Sequence, residues 1–112
     1  MFVTIYKNPM KPNHYTEIPP SFELNLEALP DYDVHKHISA RGITLLWPIE
    51  IEVATILKVS AKQISMTGAV EFIVKVLKVK KVENENLFEI HANFYDTNGT
   101  KEDEVLDLIK SF

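Results

Sequence analysis

The stretch AVEFIVKVLKVKKVENENLFEIHANFYD, Ala69 to Asp96, decides the fold. In its second half Phe88, Ile90, Ala92 and Phe94 alternate with Glu89, His91 and Asn93, the period-two spacing of a strand with one buried face. In its first half Val70, Phe72, Val74 and Val76 hold the inward phase. The apolar phase then slips to Leu77 and Val79, leaving Lys78 and Lys80 opposite. A phase slip in a period-two pattern predicts a β-bulge or sharp bend, the device that curls a sheet toward a barrel. Asn84 to Asn86 supply the turn between the two halves.

Working upstream, FELNL (Phe22–Leu26) alternates in the same way, and DYDVHKHIS continues it with Tyr32, Val34, Lys36 and Ile38 on one face. Gly42 then releases the chain from a Ser-Ala-Arg-Gly turn into ITLLWP, which Pro48 stops. IEIEVATILKVSA reads either as a strand or as an extended loop leading into TILKVS. Residues 1–20 hold Pro9, Pro12, Pro19 and Pro20 of the 6 prolines, so this segment is not helical and lies extended, with FVTIY itself a short strand.

Downstream the period changes. Thr100 and Asp103 have the spacing of a capping box, and Val105, Leu108, Ile109 and Phe112 form one apolar stripe of a short helix. Glu102, Asp103 and Glu104 fall in its first turn, where the helix dipole favours negative charge. Five to seven strands and one terminal helix predict a small all-β antiparallel barrel with a helical lid.

Composition narrows the functions. A chain of 112 residues suits one domain, and 46% hydrophobic with 25% charged residues is ordinary for a globular protein. The net charge of −4 argues against nucleic acid as a partner. There is no cysteine, hence no disulfide, thiolate nucleophile or cysteine zinc site. No apolar run is long enough for a signal peptide or a membrane span, so a cytoplasmic location without membrane insertion is expected. With 3 glycines no glycine-rich phosphate cradle can form, and no nucleophile elbow is present. The chain reads as a non-enzyme. His35 and His37 share one strand face at i, i+2, but a third metal ligand is missing, so no metal or cofactor is expected.

Two readings fit HISARG. Ser39, the guanidinium of Arg41 and backbone N–H groups beside Gly42 can grip an anion such as a nucleotide phosphate. Equally, the segment can be a plain chain reversal in which Ser39 bonds its own backbone.

From Phe22 to Phe112 the chain resembles a PilZ domain. The carrying segments, in order, are LPDYDVHKHISARGITLL, IEVATILKVS, EFIVKVLKVKKVENENLFEIHANFYD and the closing helix. The resemblance implies a six-stranded antiparallel β-barrel closed by a C-terminal α-helix, with 1–21 an extended N-terminal segment and 22–112 the barrel domain. Cyclic di-GMP receptors of that family carry Asp/Asn-x-Ser-x-x-Gly, which falls on His37 to Gly42. Ser39 and Gly42 match, whereas His37 replaces a carboxylate or amide acceptor. The family's Arg-x-x-x-Arg motif is missing, since Arg41 is the first arginine. Its nearest spacing match is Lys7 to Lys11. Lysine keeps the charge but not the planar fork that holds phosphate bidentately and stacks on guanine. His91 also stands where the family has glycine.

The resemblance therefore implies a signalling adaptor of the cyclic di-GMP network acting through protein contacts in type IV pilus, motility or secretion control, its own nucleotide binding weak or lost. Trp47, the single tryptophan, is the expected contact residue. The alternative is a genuine cyclic di-GMP receptor using His37, Ser39, Arg41 and Gly42 with Lys7 and Lys11. A structural subunit that borrows the barrel is the third reading.

Overall fold

In a computed structural model, residues 2–7, 16–65, 67–83 and 85–112 are described, with only the backbone considered at 2–7 and 16–17. Strands β1 (Phe2–Lys7), β2 (Thr16–Glu17), β3 (Phe22–Ala28), β4 (Ile38–Trp47), β5 (Ile56–Gln63), β6 (Val70–Lys81) and β7 (Phe88–Tyr95) precede helix α1 (Gly99–Lys110). The strands form one antiparallel sheet in the order β2-β1-β4-β7-β6-β5-β3.

The alternating strands bury the face their spacing predicts. Ile90, Ala92 and Phe94 of β7 and Val74 and Val76 of β6 are fully enclosed. Ile43 and Leu45 of β4, Leu57 and Val59 of β5, and Val105, Leu106 and Ile109 of α1 join them in one core, with Leu24 and Leu26 of β3 packed against it. Strand β3, at one end of the order, and β4, four places away, share this core, so the sheet curls. The chain itself requires it. From Glu17 on one edge to Phe22 on the other there are five peptide steps, a reach of at most about 18 Å.

The hydrogen bonding nevertheless differs from a closed barrel of six strands. Seven strands pair, and among the described residues β2 and β3 remain as two edges. The added strands come from the N-terminal segment, where β1 pairs along β4 from Val3 opposite Leu45 to Lys7 opposite Arg41. Pro19 and Pro20 separate β2 from β3. Neither has an N–H to extend a ladder, and the chain reverses there through Phe22 N–H donating to the Pro19 carbonyl at 2.9 Å.

Two local expectations change as well, and one open alternative is resolved. DYDVHKHIS is not a strand, because residues 29–37 form turns and bends. Its alternation is overridden by one local and one long-range bond: Asp33 Oδ1 accepts from His35 N–H at 2.8 Å, and Tyr95 Oη donates to the Asp33 carbonyl at 2.6 Å. Residues 48–55 are the loop of the two readings offered for IEIEV, and β5 begins only at Ile56. The N-cap of α1 is Asn98, whose Oδ1 accepts from Lys101 N–H at 2.8 Å, rather than Thr100. The bulge in β6 lies where the phase slips, with a register break between Val76 and Lys78. Val79 returns to the core, but Leu77 remains 45% exposed.

Candidate functional site

The segment from Ser39 to Gly42 lies inside β4 as a bulge, not as a turn. On β4 the pairing with β7 jumps from Ile38 opposite Tyr95 to Gly42 opposite Asn93, so three intervening residues face one. Gly42 is needed for close approach: a Cβ there would sit 2.2 Å from the Ala92 carbonyl oxygen and 2.7 Å from Asn93 Cα. The bulge is further held by Asn93 Nδ2, which donates to the Ser39 carbonyl at 2.8 Å. Of the two sequence readings, the self-bonding serine is present, since Ser39 Oγ accepts from Arg41 N–H at 3.1 Å.

The bulge turns Arg41 toward the first turn of α1. Its Nε and Nη2 each lie 2.8 Å from Glu102 Oε1, and its Nη1 lies 2.8 Å from Asp103 Oδ1. Ser39 Oγ donates to the same Glu102 oxygen at 3.1 Å. The Glu102 side chain is 7% exposed and that of Arg41 27%, so their contact lies mostly out of water, whereas the Asp103 side chain at its edge is 67% exposed. The hydrogen bond that Arg41 donates to Asp103 does most to raise the guanidinium pKa above its ordinary value. Partial burial opposes the rise and Glu102 adds to it. The buried Glu102 carboxylate needs such a partner, because an unpaired charge in this setting is costly. In chemical terms the arginine expected to face an anionic ligand already holds two carboxylates of its own chain.

The other expected residues do not join this cluster. His37 is exposed, and its carbonyl accepts from Asp96 N–H at 2.9 Å. The Lys7 backbone pairs opposite Arg41, and Lys11 lies outside the described residues. Trp47 ends β4 opposite Phe88, half-buried against the core rather than enclosed in it. His35 and His37 sit in the loop before β4, not on a strand face, and the described residues contain no group of three or more His, Asp or Glu arranged to hold a metal ion.

Two arrangements have the outline of a site and lack its working parts. Thr44 Oγ1 is 3.2 Å from His91 Nδ1, and His91 Nε2 is 2.5 Å from Glu89 Oε1, the order of a hydroxyl–imidazole–carboxylate relay. Thr44, however, is wholly buried, so no substrate reaches its hydroxyl. The relay instead satisfies polar groups on the outer side of the sheet. Under α1, the cavity among Ile18, Phe22, Leu24, Ile43 and Phe72 is only about 10 Å³, space for one water-sized body.

Glu102 and Asp103 were not singled out as partners of Arg41 by their spacing. A signal existed: Glu102 lies three residues before Val105 and so shares the buried stripe, and a buried glutamate requires a cation. No protein-family model matches this chain, and neither a curated protein nor a solved structure matches it. Among the described residues no helix is long and apolar enough to cross a membrane.

Proposed function

We propose that this chain is a non-catalytic, PilZ-like adaptor of the cyclic di-GMP network, acting through protein contacts in pilus, motility or secretion control with its own nucleotide binding weak or lost. The observation that carries this reading is the engagement of Arg41 by Glu102 and Asp103. A phosphodiester would have to displace two carboxylates whose charge repels it, without the fork-shaped arginines that the family's receptors supply ahead of the barrel. The curled antiparallel sheet with its C-terminal helix suits the reading, which implies a closed six-stranded barrel and a cytoplasmic site of action. Trp47, with a face left to solvent at the end of β4, remains the candidate contact.

One observation favours direct binding as the second reading. The Lys7 backbone lies opposite Arg41, so a lysine stands in the neighbourhood where an arginine clamp would be needed. Calorimetric titration of the purified protein with cyclic di-GMP separates the two. The adaptor reading expects no saturable heat up to about millimolar ligand, a ceiling of about −4 kcal/mol. Micromolar binding that disappears in Arg41→Ala establishes the receptor instead.

A further inference from the structure

We infer that the loop between β4 and β5 and the bulged end of β6 together form a self-complementary surface that pairs two copies of this chain about a two-fold axis. This inference is independent of the proposed function, since it rests on a different part of the molecule. Loop residues 48–55 are pinned beside the β6 bulge by two backbone bonds: Ala54 N–H donates to the Val76 carbonyl at 2.8 Å, and Val76 N–H donates to the Thr55 carbonyl at 2.9 Å. Ala54 accepts a left-handed backbone, φ 76°, to make this contact. That conformation disfavours a residue with a Cβ, and here it fixes the loop against the strand.

The result places two strips side by side. The loop strip carries Ile49, 66% exposed, and Val53, 58% exposed, with Glu50 and Glu52 also exposed between them. The strand strip carries Leu77, 45% exposed, followed by exposed Lys78, Lys80 and Lys81. Exposed branched aliphatic side chains gathered at one place mark an association surface more often than single ones do. Among the described residues Glu50, Glu52, Lys78 and Lys80 form no ion pair within the chain.

An acidic apolar strip beside a basic apolar strip is the pattern that matches itself when a second copy is rotated by half a turn. The loop of each copy then faces the lysines of the other, and Leu77, Val53 and Ile49 fill the middle. A partner of one charge sign would satisfy only one of the strips. A second copy satisfies both.

Sedimentation equilibrium of the full chain, with circular dichroism to verify folding, tests this with two charge-reversed variants. The wild type is expected to dimerise at about 100 µM or below, with a Kd that rises at least about tenfold between low and high salt as exposed charges are screened. Glu50→Lys/Glu52→Lys and Lys78→Glu/Lys80→Glu are each expected to be monomeric, because each turns both contacts of the pair repulsive. Mixing the two variants restores a heterodimer, since reversed loop then meets reversed strand. Leu77→Glu weakens the wild-type dimer and is not rescued by mixing with either. A wild type that stays monomeric at about millimolar concentration overturns the inference. So do charge-reversed variants that remain dimeric, or a mixture that stays monomeric.

Discussion

The guanidinium of Arg41 on β4 and the carboxylate of Glu102 on α1, 61 positions apart in sequence, meet through a hydrogen bond from Nε and an ion-pair contact from Nη2, both 2.8 Å. Ser39 adds a second hydrogen-bond donor to the same Glu102 oxygen, and Asp103 holds the remaining end of the guanidinium. This contact ties the C-terminal helix to the bulge in β4. It also supports the proposed reading, because an arginine that already holds two carboxylates is a poor receptor for phosphate.

If the contact is structural, Glu102→Gln should lower unfolding stability by about 1–2 kcal/mol, the usual worth of a charge-assisted hydrogen bond over a neutral one. Arg41→Ala should be worse, since it leaves the buried Glu102 without its counter-charge. Urea unfolding of both single variants and the double variant measures the coupling. Additive effects in that cycle would mean that the two side chains do not support each other.

Gly42→Ala should be severely destabilising, by about 3 kcal/mol or more, because the methyl group meets backbone rather than a side chain that can move. Gly99→Ala, where a Cβ meets nothing, is the control and should leave stability nearly unchanged. Equal midpoints for the two variants in urea would contradict the close approach of β4 and β7.

The helix cap offers a sharper comparison. Asn98→Ala should cost about 1 kcal/mol by removing the acceptor for Lys101 N–H, whereas Thr100→Ala should cost little. The reverse ranking would restore the capping box that the spacing of Thr100 and Asp103 suggests.

Why some features were legible and others were not follows from particular residues. The β7 strand was readable because Ile90, Ala92 and Phe94 are fully buried while their neighbours are less so, and burial on one side is what writes a period of two. The β6 bulge was readable because a bulge shifts that phase. Tyr32, Val34 and Lys36 imitate the same period, yet turn-forming Asp31 and Asp33 after Pro30 win locally. Glu102 escaped because a first-turn carboxylate has a sufficient local reason in the helix dipole. Its distant partner is a tertiary fact, invisible without the fold. The strand partners of residues 2–7 are equally long-range.

Tyr32 supplies a pH-dependent readout of the loop that precedes β4. Its hydroxyl donates to Asp96 Oδ2 at 2.5 Å, and this bond, then burial and the nearby carboxylate charge, push its pKa up to about 12. The folded state thus holds the phenolic proton more tightly than the unfolded chain does. The associated stability is complete below pH about 10 and is lost as pH rises through about 12. Absorbance titration should show a tyrosine ionisation near pH 12 that is missing in Tyr32→Phe. A titration curve near pH 12 that Tyr32→Phe leaves unchanged would remove the Tyr32–Asp96 bond from the account.

The most direct test of the central claim uses the fact that Arg41 is the chain's single arginine, so its Nε–H gives one assignable signal in a ¹H–¹⁵N spectrum. Held by Glu102, that proton should be protected from solvent exchange, and its signal should stay in place as cyclic di-GMP is added to about millimolar concentration. A saturable shift of the Arg41 Nε–H signal, or its loss as the guanidinium leaves Glu102 for the ligand, would contradict the account.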